Sequence, residues 1–307
     1  MSSPRAATSH DGRYAPSPTG PLHLGNLRTA VAAWLFARSA GARFLLRIED
    51  LDPKRSRREH EEGQLADLRA LGLDWDGPVM RQSERRESHR DALGELERQG
   101  RVYPCWCTRA EIREAASADH GPMPEGAYPG TCRSLSKAER AERERSGRPA
   151  ALRLDAGGAV ATATDRLHGE LQGVVDDVVL WRGDDTPAYN LVVVVDDAEQ
   201  GIGEVVRGDD LLDSTPRQAH LARLLGLEPP AYAHIPLVVG PDGARLAKRH
   251  GAVTLAEREA LGEGREEILA WMTSSLGLTL PGERVPLHGL VGRFDPARLA
   301  REPTVLG

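Results

Sequence analysis

Three groups of residues in this 307-residue chain have types and spacings that suit chemistry. The densest is the run from Arg13 to Asn26, RYAPSPTGPLHLGN, where a short strand over 13–16 ends in a turn rich in Pro and Gly and a helix begins at about His23. Free backbone N–H groups and the positive helix end then face the turn, an anion site suited to phosphates. A lone His-x-Gly is more often an ordinary strand-to-helix turn with an incidental histidine. The second group is Gly243-Ala244-Arg245-Leu246-Ala247-Lys248-Arg249, a basic loop after a buried strand and a Pro-Asp-Gly turn. Taken alone, such a loop is a solvated surface. The third is Cys105-x-Cys107 followed by Tyr128-x-x-x-Cys132, three thiolates and a phenol. Three Cys and one more ligand make a tetrahedral zinc set, although tyrosinate is an unusual fourth partner and His120 is another candidate. The plainer alternative is three reduced cysteines that merely pack.

The elements that must position these groups follow from the apolar pattern. A helix is expected over 22–38 and a strand over 43–49, RFLLRIE, whose continuous apolar centre suits a buried parallel strand. Two charged helices follow, one capped by Ser56 and running to about Leu71, one capped by Ser83 and running to about Gln99. From Val102 the composition changes to the close cysteines, a Gly/Pro-rich loop and a charged helix opened by the capping box Ser136-x-x-Glu139. Apolar strands resume at Tyr189–Val195, a helix starts near Thr215-Pro216, and a strand runs from His234 to Val239. This is an α/β pattern. Residues 1–12 are expected to be a flexible extension, 13–100 and 188–240 the two halves of an α/β domain, 101–187 an insertion carrying the thiols, and 241–307 the basic loop and a region helical at first, then rich in Pro, Gly and Arg.

Composition excludes several classes. With 40% hydrophobic residues, 32 Gly and 21 Pro, the chain can build a core and is not low-complexity. No run approaches the ~20 apolar residues of a membrane span, and the first dozen residues lack the apolar region of a secretory signal. No membrane partner is expected. Three cysteines cannot pair completely, which points to thiols in a reducing compartment, the cytoplasm. A net charge of −6 excludes a uniformly basic nucleic-acid binder but not one with local basic stretches.

In combination these residues resemble a known family. Ala15 to Gly25 is similar to the first signature of class I aminoacyl-tRNA synthetases in its glutamyl form, A-P-S-P-T-G-x-x-H-x-G, with Asn26 where the second His stands. The basic loop resembles the family's K-M-S-K-S signature, Arg245 standing for the first Lys, Ala247 for the Ser and Lys248 as the matched cation. The resemblance implies a Rossmann-type class I synthetase catalytic domain with a zinc-containing insertion and a small, mainly helical C-terminal region. It implies that ATP, with Mg²⁺, meets His23, Gly25, Asn26, Arg245 and Lys248, of which His23 and Lys248 act in catalysis. Because an anionic carboxylate attacks the α-phosphate, no general base is needed, only charge neutralisation and alignment. It also implies an L-glutamate pocket made by Arg13, Ala15, Ser17, Glu49, Tyr189 and Arg207.

The pattern C-x-C…Y-x-x-x-C resembles the zinc site of the glutamyl-Q tRNA(Asp) synthetases, short paralogues of glutamyl-tRNA synthetase. It implies one structural Zn²⁺ on Cys105, Cys107, Tyr128 and Cys132. Two features agree with that branch: the chain ends soon after the basic loop, leaving little room for an anticodon-reading domain, and Val193 stands where glutamyl-tRNA synthetases tend to carry Asn. The implied reaction is tRNA-independent formation of glutamyl-adenylate, then transfer of glutamate to queuosine in the anticodon loop of tRNA(Asp), by a monomer. Six basic residues between Arg133 and Arg148 offer an RNA contact, although a solvated helix face with internal ion pairs explains them equally well. Two rivals remain: a truncated glutamyl-tRNA synthetase charging a tRNA 3′ end, and a catalytically weak paralogue that binds RNA or a protein.

Overall fold

The computed structural model describes residues 10–116, 127–246 and 248–306. The chain starts with β1 (Gly12–Tyr14), α1 (Leu24–Ser39), β2 (Phe44–Ile48), α2 (Arg58–Ala70), β3 (Met80–Arg81) and α3 (Arg86–Arg98). It continues through β4 (Val102–Cys105), α4 (Arg109–Ala116), α5 (Lys137–Arg145), β5 (Ala151–Leu154), β6 (Val160–Asp165), β7 (Gly169–Val174) and β8 (Val179–Trp181). Then come α6 (Tyr189–Gln200), β9 (Glu204–Gly208), α7 (Thr215–Leu224), β10 (Ala231–Ile235), β11 (Val238–Val239), α8 (Leu255–Ala260), α9 (Arg265–Ser275) and β12 (Thr304–Val305).

Seven strands form one sheet in the order β3-β2-β1-β9-β10-β6-β7, parallel except for the last pair. Strand periodicity separates its two faces. Phe44, Leu46, Val206, Ala233 and Ile235 join α1 and α9 in the largest core, whereas the alternate residues Leu45, Val205 and Tyr232 pack with Ala219 of α7. Both faces are therefore covered, as a parallel sheet requires. Arg28, buried inside α1, ties that helix to α9 and to the end of β10 through Ser275 Oγ at 2.8 Å and Pro236 O at 2.7 Å.

The chain leaves β1 toward β2 and β3, then returns to place β9 on the other side of β1. The carboxyl ends of β1 and β9 thus flank a topological switch point, where open α/β sheets bind ligands.

Several expectations need correction. Residues 189–195 are not a strand but the first turns of α6. A run of four valines suits a strand by propensity, but a short apolar run does not distinguish a strand from a buried helix. Leu191, Val192, Val193 and Val194 are all buried in the core shared with Leu93, Leu96, Leu221 and Ala222, and the helix ends at Gly201 with φ 69°, a left-handed cap. Val193 is accordingly a core residue. The strand expected over 234–239 is split between β10 and β11 around Pro236-Leu237, and β9, central in the sheet, had no counterpart in the sequence reading. Ser56 and Ser83 do not cap helices: Arg57 precedes α2 with no side-chain cap, and Ser83 Oγ instead donates to Asp50 at 2.6 Å. The capping box of Ser136 and Glu139 is present at α5. Residues 1–9 of the expected extension lie outside the described residues; Asp11 is buried and pairs with Arg43 at 2.7 Å, and Gly12 already belongs to β1. Within 101–187, β4, β5 and β8 make a separate antiparallel sheet, but the hairpin β6–β7 completes the edge of the main one.

Candidate active site and metal centre

A cavity of about 650 Å³ opens at the switch point. Arg13, Ala15 and Ser17 reach it from the end of β1, His23, Gly25 and Asn26 from the start of α1, and Glu49 from the residue after β2. Tyr189 enters from the first residue of α6, Arg207 from β9 and Arg245 from the basic loop. Lys248 opens a single 3-10 turn, Lys248–His250; its side chain and the whole of Ala247 lie outside the described residues, as does His120.

On one wall, His23 is the N-cap of α1. Its Nδ1 accepts from Asn26 N at 3.2 Å while Asn26 Oδ1 accepts from His23 N at 3.3 Å, a reciprocal capping box. Asn26, in the place of a histidine, thus holds the His23 backbone with its side chain and the His23 ring with its own backbone N–H. Burial, reinforced by Arg245 against the opposing pull of Asp210, lowers the His23 pKa to about 4. With Nδ1 engaged as acceptor, the neutral ring carries its proton on Nε2 and presents a hydrogen-bond donor. It is not the cation that charge neutralisation alone would suggest. Gly25 is needed beneath it, since a Cβ there would lie 3.1 Å from the His23 ring and 3.3 Å from Val238 Cβ. The basic loop folds back onto the same point: Leu24 N donates to Val253 O at 2.7 Å, and Arg245 pairs with Asp210 at 2.9 Å.

On the other wall, buried charges hold two arginines. Arg13 Nε lies 3.1 Å from Asp197 Oδ1, and Arg47 Nη1 lies 2.6 Å from the same oxygen. Arg47 Nη2 approaches Glu49 at 3.5 Å. Burial raises the Glu49 pKa, against the opposing pull of Arg47 and Arg13, so a further cation at Glu49 would favour its charged form. Arg207 does not pair with Asp209 or Asp210. It donates to His234 Nε2 at 2.9 Å, Gln218 Oε1 at 2.7 Å, Thr215 Oγ1 at 2.8 Å and Leu211 O at 3.3 Å.

Sequence reasoning missed Arg47, Asp197, His234 and Asp165. The acidic pair Asp196-Asp197 was visible, but only α6 sends the two apart: Asp196 takes Gln82, Arg85 and His89, and Asp197 takes the arginines. Read as a strand end, the pair carries no such meaning.

Away from this cavity, Cys105, Cys107 and Cys132 bring their Sγ atoms within 4.8 Å of one another. Tyr128 Oη lies 3.4 Å from the Cys105 and Cys107 sulfurs and accepts from Cys132 N at 2.7 Å. Edges of this size fit a tetrahedron about Zn²⁺, in which neighbouring sulfurs stand about 3.8 Å apart. The Arg153 guanidinium lies 3.8 Å from the centroid of the Tyr128 ring, and burial with the neighbouring thiols pushes the Tyr128 phenol well above its ordinary value. Burial pushes the Cys107 thiol up to about 12, a tendency a bound cation reverses. The four side chains form a core of their own with Tyr103 and Trp106. Of the basic residues near α5, Arg133 is engaged by Asp177 at 3.0 Å and Asp155 at 3.3 Å. Among the described residues no helix is long and apolar enough to cross a membrane.

Comparison with known proteins agrees with this geometry. Residues 11–285 match the family model for the catalytic domain of class I tRNA synthetases (E and Q). A glutamyl-Q tRNA(Asp) synthetase of Nocardia farcinica is 62% identical over 96% of this chain and 92% of its own length. One of Symbiobacterium thermophilum is 51% identical over 95% and 94%. Among solved structures, a glutamate tRNA ligase of Elizabethkingia meningosepticum in complex with its amino acid superposes with TM-score 0.81 at 27% identity, over 97% of this chain and 67% of that one. A parallel sheet open at its switch point, a histidine-capped turn there and this degree of likeness lead to one conclusion: the chain belongs to the glutamyl-Q tRNA(Asp) synthetase family of class I tRNA synthetases.

Proposed function

We propose that the protein activates L-glutamate with ATP, without tRNA, and transfers it to the queuosine of tRNA(Asp). In the first step a glutamate carboxylate oxygen bonds to the α-phosphorus and the bond to pyrophosphate breaks, giving glutamyl-adenylate. In the second, a hydroxyl of the queuosine cyclopentene ring bonds to the acyl carbon, loses its proton, and AMP leaves.

One observation carries the reading: a single cavity has Arg13, Glu49, Tyr189 and Arg207 on one wall and His23 at the N-terminus of α1 on the other. The first set suits an amino acid with two carboxylates and an ammonium; the second suits phosphates. Arg207 uses four of its five N–H donors within the protein, so Arg13, held along one edge by Asp197, is the better candidate for a bidentate carboxylate contact. Glu49 takes the ammonium. His23 donates from Nε2 to the phosphates, joined by Arg245 and Lys248 from the basic loop. Mg²⁺, when bound, offsets phosphate charge. Zinc on Cys105, Cys107, Tyr128 and Cys132 has a structural role, since four protein ligands leave no open position.

The decisive experiment measures transfer of labelled glutamate to tRNA(Asp) with and without queuosine. Transfer only to the queuosine form is expected; transfer that ignores queuosine overturns the proposal.

A further inference from the structure

A second cavity, of about 320 Å³, adjoins the first, and Tyr189 lines both. Its volume lies at the low end of small-ligand pockets. Its polar lining is built rather than incidental. Arg153 is only 7% exposed, stacks on Tyr128 and donates through Nη1 to Asp177 O, yet its Nε has no partner. A buried, unpartnered guanidinium N–H is costly unless something fills the role at some stage of function. Asp176, 6% exposed, is held between Arg217 Nε and the backbone N of Tyr128. Asn190, also in the lining, accepts from Gln218 Nε2 through its amide oxygen, so its NH₂ group remains a donor.

Resting on the function proposed above, we infer that this second cavity is the subsite for the acceptor base, a guanine-type ring whose side arm carries an ammonium and a diol. The shared wall sets the direction of approach. The diol must reach past Tyr189 to the acyl carbon in the first cavity, which leaves the ring in the second. The Asp176 carboxylate accepts only, and so suits a base edge with adjacent N–H donors, or the arm's ammonium. The Arg217 guanidinium, which gives its Nε to Asp176, suits the exocyclic carbonyl oxygen with its Nη donors. Adenine, with a ring acceptor beside a single amino group, matches a carboxylate less well, so the same lining disfavours a tRNA 3′ end. The subsite stands on Tyr128, which also belongs to the thiol cluster. That gives the cluster a purpose for the transfer step, and none for activation.

The test separates the two half-reactions. In Arg217→Gln and Asn190→Ala, glutamate-dependent pyrophosphate exchange without tRNA should stay within about twofold of the parent, while transfer to queuosine-containing tRNA(Asp) falls about tenfold or more. Unchanged transfer in both variants overturns the inference, as does a loss of exchange equal to the loss of transfer. The unaltered protein supplies a second measurement that no folding defect can affect. Free queuosine nucleoside should compete with the tRNA for transfer and adenosine should not; equal inhibition by the two, or none by either, overturns the subsite. Absence of any transfer by the unaltered protein is a different result and sinks the proposed function itself.

Discussion

Arg207 Nε donates to His234 Nε2 across 2.9 Å, and His234 Nδ1 faces Asp165 Oδ2 across 2.6 Å. Because an arginine Nε–H can only donate, His234 must be the neutral tautomer that accepts at Nε2 and gives its Nδ1 proton to Asp165. The hairpin β6–β7 ends its first strand at Asp165 beneath β10, so a segment expected to be wholly an insertion orients an arginine of the main cavity through one buried histidine.

This relay should make glutamate binding in the proposed pocket pH-dependent. Burial lowers the His234 pKa, Asp165 opposes it and Arg207 adds to it, with His168 and the ring of Tyr232 also close by; the net shift is downward from 6.5. A group whose folded pKa is depressed contributes stability above its unfolded value and loses it as pH falls. As the pH falls through this lowered folded-state value, protonation should turn Nε2 into a donor facing Arg207. KM for glutamate in pyrophosphate exchange should therefore rise as the pH falls below that value. His234→Phe should raise KM about tenfold or more at every pH, with a smaller effect on kcat, and flatten the profile.

Asp197, behind Arg13, should be the most sensitive acid supporting the cavity wall. Burial alone would raise its pKa, but Arg13 and Arg47 bring it below the usual 3.8. Its contribution is present above that value and lost as pH drops through the depressed one. Asp197→Asn leaves two buried guanidinium groups without their shared counter-charge and should cost about 3–5 kcal/mol, read in urea unfolding at neutral pH.

Asn26→Ala removes half of the capping box at α1 and should cost about 1 kcal/mol of stability. The His23 ring keeps its bond from the backbone N–H of residue 26, so exchange should fall no further than the loss of stability explains. Asn26→Asp keeps an acceptor for His23 N and should recover the stability; recovery by Ala instead would separate Asn26 from His23.

Metal analysis should find one zinc per chain, and Cys132→Ser should lower both zinc content and the melting temperature. Since the thiols lie outside the 650 Å³ cavity, exchange by the folded fraction should persist while transfer suffers more. A parent protein that is as stable after dialysis against a strong chelator would rule out a structural metal.

By itself the sequence determined those features in which adjacent residues act on one another. The turn from Arg13 to Asn26 and the capping box at Ser136 are local, and spacing suffices because backbone geometry is short-range, whereas Cys132, 25 positions beyond Cys107, was joined to the other thiols only by the family resemblance. The α/β class was legible for the same reason, from the alternation of apolar runs. What lay beyond it depended on distant partners. Whether Tyr189–Val195 was strand or helix was decided by α3 and α7 packing around it, and propensity pointed the other way. That choice alone sends Asp196 and Asp197 to different arginines. Only the tertiary structure places Asp197 on Arg13, 184 positions away, and His234 behind Arg207, because buried charges take whichever partner the folded chain brings within about 3 Å.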